Sequence, residues 1–283
     1  MPIAFIPGEN YPSISITGNR CFLNCKYCGG KYLNQMYHVA TPQDLYNLIE
    51  KLWDKGMKGF LISGGFDKNG QLPLKPFLST IKKIKKEFDP VISVHPGLVD
   101  INMVVEMRRS GIDIVDYGFI IDDFIIQEVM NLKNRSHRDF KSTLKHLYNN
   151  GPPYIAPHIL IGLNYGSIKL EYQALEHVIE YDPYIIIFLV FIPTKGTQME
   201  HVKPPEIEKI VELIKYARTI YNGEIALGCM RPPHYKPLLD EKLLKKNLID
   251  RIVLPISKII RNFNLRIINA CCSIPREFFN RFS

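Results

Sequence analysis

The stretch "YIIIFLVFIP", Tyr184–Pro193, is the strongest apolar run in the chain, and the fold turns on how it is read. A helix that crosses a bilayer needs about 20 apolar residues, and this run falls well short of that. Its length and its β-branched and aromatic content suit a strand. An unbroken apolar run, with no polar alternation, marks a strand covered on both faces, as in a parallel sheet.

Similar segments recur on either side of it. Strands are expected at Ser13–Thr17, Gly59–Ser63, Val91–Val94, Ile112–Tyr117, Tyr154–Leu163, Ile185–Ile192, Glu224–Leu227 and Leu265–Ala270. Helical patterns lie between them. In "TPQDLYNLIEKLWDKG", Thr41 can cap, Pro42 suits the first turn and Gly56 can stop the helix, while Leu45, Leu48, Ile49, Leu52 and Trp53 form one apolar stripe. "PPEIEKIVELIKYARTIYNG" repeats the pattern. Alternating strand and helix implies a parallel sheet, and about eight such units imply an α/β fold of the (β/α)8 TIM type, complete or nearly complete. No stretch reads as a linker, so residues 1–283 are expected to form a single domain. Pro232–Asn264 is the hardest part to assign and has room for extra helices.

The bulk numbers narrow the class. The chain has 283 residues, 46% hydrophobic and 23% charged, enough to build a core without disulfides. Its six cysteines do not make a secreted disulfide scaffold. "MPIAFIPGENYP" lacks the basic start and apolar run of a signal peptide, so a cytoplasmic protein with reduced thiols and no membrane partner is expected. The net charge of +8 favours an acidic partner. The lysines are spread over "IKKIKKEF" and "EKLLKKNL", which read as solvated helix faces. No aromatic-basic patch points to nucleic acid, and none is expected as a partner.

Barrel chemistry is built at the C-terminal ends of strands. Those ends carry "GNRCFLNCKYCGG" (18–30), "SGGF" (63–66), "HPG" (95–97), "GLNYG" (162–166), "PTKGT" (193–197), "GCMRP" (228–232) and "ACCSIP" (270–275). All six cysteines therefore fall on the expected active face. Cys21, Cys25 and Cys28 lie in one loop with no fourth cysteine nearby. A structural zinc site wants four closed ligands; thiolates at this spacing also suit an iron–sulfur cluster with one iron left open.

The CxxxCxxC loop after the first strand, with Tyr27 before its last cysteine, resembles the radical S-adenosylmethionine (SAM) superfamily. The resemblance implies a [4Fe–4S] cluster on Cys21, Cys25 and Cys28, with SAM chelated at the open iron. It implies a SAM contact at Ser63, Gly64 and Gly65, although Phe66 stands where the family usually has Glu. Tyr27, Gly162 (behind the adenine) and Asp116 with Tyr117 (at the ribose) complete the cofactor-side set it implies. "FIPTKGT" is similar to the biotin synthase branch.

Cys229, Cys271 and Cys272 then need an account. A free cysteine is often only a small buried hydrophobe, but three on adjacent strand ends suggest a second [4Fe–4S] cluster. Consecutive strand residues face opposite ways, so Cys271 and Cys272 can act together only if the strand has already ended. Ser273, Arg231, a partner or a substrate sulfur could supply a fourth ligand. The paired cysteines and "GCMRP" resemble a subunit of the archaeal two-protein lipoyl synthase. That resemblance implies a sulfurtransferase acting on an octanoyl or mercaptooctanoyl lysine of an acidic carrier protein in lipoate biosynthesis. It also implies an electron donor such as ferredoxin or flavodoxin and a second radical SAM subunit. Other biotin synthase-like chemistry (small-molecule sulfuration or carbon-skeleton rearrangement) and a non-enzymatic metal scaffold are the alternatives. His95 and His158 are held as substrate contacts; a lone histidine is more often structural.

Overall fold

The computed structural model describes residues 2–283. In chain order its elements are β1 (Ile3–Phe5), β2 (Ser13–Ser15), β3 (Tyr37–His38), α1 (Pro42–Trp53), β4 (Gly59–Ser63), α2 (Leu78–Phe88), β5 (Val91–Val94), α3 (Ile101–Arg109), β6 (Ile114–Gly118), α4 (His137–Asn150), β7 (Tyr154–Ile161), α5 (Glu171–Ile179), β8 (Ile185–Val190), α6 (Ile207–Ile220), β9 (Glu224–Leu227), α7 (Lys236–Lys245), β10 (Arg251–Val253), α8 (Ser257–Asn262) and β11 (Arg266–Ile268). The strands form one 11-stranded sheet in the order β11-β1-β10-β9-β8-β7-β6-β5-β4-β2-β3. Every strand pair is parallel. The sheet curls into a partial barrel of the TIM type, with edges at β3 and β11.

β8 shows why the apolar run decides the fold. It lies between β7 and β9, and Ile185, Ile186, Ile187 and Phe188 are fully buried. Ile185 and Ile187 join the cluster that fills the barrel, with Val91, Ile114, Ala156 and Ala226 from neighbouring strands. Ile186, Phe188 and Val190 belong to the larger core between sheet and helices. Alternate residues face opposite ways, and both ways lead into protein.

Outside the sheet, α1 forms as its sequence predicts. Thr41 accepts from Asp44 N at 3.1 Å and Asp44 accepts from Thr41 N at 3.0 Å, a reciprocal cap that satisfies two otherwise free donors. Pro42 opens the helix, and Leu45, Ile49 and Leu52 are buried.

Three expectations change. Ile3–Phe5 and Arg251–Val253 are strands, although neither three-residue segment shows a readable period. Pro232–Asn264 holds β10 between α7 and α8. The last expected strand, now β11, is not adjacent to β9, because β10 and β1 lie between them.

After β11 the chain turns into the barrel. Cys272, Ile274, Phe279 and Phe282 join the barrel-filling cluster, and Asn269 N donates to Phe282 O at 3.0 Å, closing the segment on itself. Arg251, fully buried, donates to Cys272 O and Ile274 O, both at 2.6 Å. It also pairs with Glu224, which in turn binds Arg276. The ring of Phe278 packs edge-on against Tyr154, at the start of β7. The C-terminal segment therefore fills the N-terminal end of the barrel and leaves the other end to the loops.

Candidate functional site

The loop that carries Cys21, Cys25 and Cys28 is held on three sides. On the first, Gly65 packs directly on its backbone, and a Cβ there would overlap Arg20 O and Cys21 Cα. Gly65 N donates to Thr17 Oγ1 at 2.7 Å, and Phe22 N donates to Phe66 O at 2.9 Å. "SGGF" is thus set against the cysteine loop, and Gly65 has a steric reason to be glycine. An open recess of about 610 Å³ lies between the two loops, lined by Thr17, Arg20, Cys21, Gly65, Phe66 and Asp67 among others.

On the second side is a π-helical turn, Ile125–Val129, between β6 and α4; such turns are frequent at functional sites. Lys26 N donates to Val129 O at 2.8 Å, and Cys25 Sγ to Met130 O at 3.5 Å. Asn131 Nδ2 donates to Leu23 O at 2.8 Å and Asn24 O at 2.9 Å. On the third side, the loop after β8 contributes Lys195 O, which accepts from Lys31 Nζ at 2.6 Å, and Thr194 Oγ1, 2.8 Å from Tyr32 OH. Met199 N donates to Lys26 O at 3.2 Å. Sequence reasoning missed Asn131. The αL conformation it adopts, φ +60, is the kind asparagine tolerates, but its partners lie over 100 residues away.

Within the loop, Cys25 is buried while Cys21 and Cys28 are partly exposed. A hydrogen bond from Cys25 brings the Cys28 thiol down to about 7, helped by Gly30 N–H and the Tyr27 hydroxyl. The same bond, with burial, pushes Cys25 up. A thiolate is the metal-binding form. Three thiols in one braced loop, with Cys28 lowered toward its thiolate form, fit a three-cysteine cluster.

The second cysteine group is arranged differently from the expectation. β11 and β9 are not adjacent, and the inward turn after β11 is what carries Cys271 and Cys272 toward Cys229. β11 ends at Ile268, so Cys271 and Cys272 are free of strand alternation. Cys272 donates to Cys271, which also accepts from Ser273 Oγ at 3.3 Å; these bonds lower the Cys271 thiol. Cys229 itself is exposed at the end of β9, while Cys271 is half-buried and Cys272 buried. All six cysteines are free. Cys272, however, lies among the barrel-filling residues rather than at the active face.

Several other assignments change. Arg231 is committed: its guanidinium holds Asp240 by two bonds of 2.7 Å and donates to Gly228 O and Val253 O at 2.8 Å, with both charged side chains fully buried. Four of its five N–H donors are used in these bonds, and as a guanidinium it offers no lone pair to a cluster. Tyr117 faces outward, and its hydroxyl donates to Phe140 O in α4 at 3.0 Å, so it cannot reach a ribose inside the barrel. Gly162, with φ +85, makes room for Pro205, whose Cγ a Cβ would overlap. Its N–H binds Glu171 Oε1 at 2.8 Å. Asp116 does point inward, between His95 and His158.

A model of the radical SAM superfamily matches residues 15–173, more than half of the chain. The chain belongs to the radical SAM superfamily. Membership implies a [4Fe–4S] cluster and SAM as cofactors, and the three-thiol loop with Gly65 behind it fits that pair. Solved structures agree in fold. HydG, a maturase of the FeFe-hydrogenase from Carboxydothermus hydrogenoformans, is similar at 14% identity and TM-score 0.69, covering 99% of this chain and 70% of that one. Methylornithine synthase (PylB) is similar at 15% identity and TM-score 0.63, covering 94% and 83%. Streptococcus suis SuiB bound to S-adenosylmethionine is similar at 14% identity and TM-score 0.59, covering 85% and 53%. At these identities the likeness is one of fold. No curated protein matches the chain by sequence. Among the described residues no helix is long and apolar enough to cross a membrane.

Proposed function

We propose that this radical SAM enzyme is a sulfurtransferase that inserts sulfur into an octanoyl-type chain on a lysine of a carrier protein, a step of lipoyl cofactor formation. The observation that carries the proposal is the second thiol group. Cys229 lies exposed after β9 and Cys271–Cys272 follow β11 on the inward turn, close enough for their charges to act on one another, and none is in a disulfide. When bound, a cluster with SAM at Cys21, Cys25 and Cys28 supplies a 5′-deoxyadenosyl radical on one-electron reduction, and a second cluster at Cys229, Cys271 and Cys272 supplies sulfur. The chain's own part is positioning and exclusion of water. The Gly-Gly loop, the π turn and the loop after β8 fix the first thiols. Arg251 fixes the backbone of Cys272, and Ile185, Ile187, Ala226 and Phe5 make the interior apolar.

The net charge of +8 suits docking of an acidic carrier domain. Ferredoxin or flavodoxin is the proposed electron source, and a second radical SAM subunit a proposed partner. The test is anaerobic turnover with octanoylated and mercaptooctanoylated carrier peptides, read by mass spectrometry. The proposal expects a product heavier by sulfur from at least one of them; SAM cleavage without sulfur in either contradicts it. A second reading, small-molecule sulfuration or rearrangement, is favoured by the polar trio His95, Asp116 and His158 inside the barrel, a feature an acyl chain does not need.

A further inference from the structure

That trio is the only set of three His, Cys, Asp or Glu residues among the described residues whose ligand atoms all lie within 4.8 Å of one another. Neither cysteine trio closes as tightly. The three side chains come from neighbouring strands: His95 follows β5, Asp116 is in β6 and His158 in β7. His95 Nε2 is 3.8 Å from Asp116 Oδ2, and His158 Nε2 is 4.0 Å from Asp116 Oδ1. The Asp116 side chain is fully buried, and neither of its oxygens has a hydrogen-bond partner. A buried carboxylate without a partner is costly.

The histidines do not relieve that cost as they stand. His158 Nδ1 is 2.9 Å from Ala156 O. A carbonyl can only accept, so Nδ1 carries the proton and Nε2 presents a lone pair. That lone pair faces a carboxylate oxygen: two acceptors point at each other across 4.0 Å. Protonating Nε2 would help, but burial opposes it and holds His158 down to about 4. Ribose hydroxyls that donate to the carboxylate leave the His158 Nε2 lone pair unmatched. A cation at the centre satisfies all three groups. Two imidazoles and one carboxylate with open positions beside them form a transition-metal donor set. The bond from His158 Nδ1 to a backbone carbonyl is the outer contact that metal-ligating histidines commonly make.

We propose that His95 Nε2, Asp116 and His158 Nε2 bind one divalent transition-metal ion inside the barrel, with a donor set of its own that uses none of the six cysteines. The site is set by strands β5 to β7 and does not depend on the sulfur-insertion reading. Its open positions face the interior, where the ion could take a carbonyl, carboxylate or water oxygen of a substrate.

The test uses anaerobically reconstituted protein, with its iron–sulfur content intact, titrated with zinc and desalted. Elemental analysis should find about one zinc per chain. Zinc X-ray absorption should show nitrogen and oxygen at about 2.0–2.1 Å and no sulfur at about 2.3 Å, which separates this site from a cysteine site. Asp116→Asn and His158→Ala should each weaken zinc binding by about tenfold or more, with iron content unchanged. His95→Ala, at the most exposed of the three side chains, should do the same and guards against a folding failure at the buried positions. In zinc-free protein Asp116→Asn should leave the melting temperature unchanged or raise it, because an amide can donate to His158 Nε2. A sulfur shell around the zinc, or zinc uptake unchanged in all three variants, overturns the proposal.

Discussion

At the residue scale, single atoms decide which expected site residues can serve. Gly65 is the sharpest case: its missing Cβ is what lets "SGGF" lie against the backbone at Arg20 and Cys21. Gly65→Ala must move one loop off the other. The expected outcome is loss of iron from the first cysteine group and of SAM cleavage, with the circular dichroism of the barrel retained; iron analysis and high-performance liquid chromatography of 5′-deoxyadenosine check it. Motif likeness alone could not separate Gly65 from Gly162, since both sit in turns after strands. The structure does: Gly65 is pressed on the cysteine loop, Gly162 on Pro205. Arg231 and Tyr117 show the opposite limit. Their residue types suited a ligand and a ribose contact, but a buried ion pair with Asp240 and an outward hydroxyl bond to Phe140 O commit them elsewhere.

At the element scale, what was legible followed local rules. β8 was readable because its burial on both faces is written in one continuous run, and α1 because its cap, proline and stripe are all local. β1 and β10 were not, because a three-residue strand has no period, and parallel pairing with distant partners is what makes it a strand. The π turn was hidden for the same reason. Its function lies in long-range bonds: Val129 O, Met130 O and Asn131 hold the cysteine loop. Asn131→Ala removes two bonds to backbone carbonyls, each worth about 0.5–1.5 kcal/mol. We expect little change in the global melting temperature and faster loss of the first cluster to chelator, followed by its visible absorbance. Equal chelation rates in variant and parent would assign Asn131 no part in holding the loop.

At the scale of the whole molecule, the sequence placed all six cysteines at one barrel mouth by counting strands, and the count was the error. Two strands, β1 and β10, lie between β11 and β9, so adjacency cannot join Cys229 to Cys271. The chain instead turns inward after β11, where Arg251 holds Cys272 O and Ile274 O. The C-terminal segment thus closes one end of the barrel and also carries thiols into its interior. The inward turn was not legible, because the buried Arg251 that holds it, paired with Glu224 on the neighbouring strand, leaves no local mark. The central claim is that these thiols hold a second cluster. Iron per chain, measured on anaerobically reconstituted wild type and Cys272→Ala alongside SAM cleavage, tests it most directly. The account predicts about eight irons in the wild type, about four in the variant and SAM cleavage in both; about four irons in each protein would contradict it.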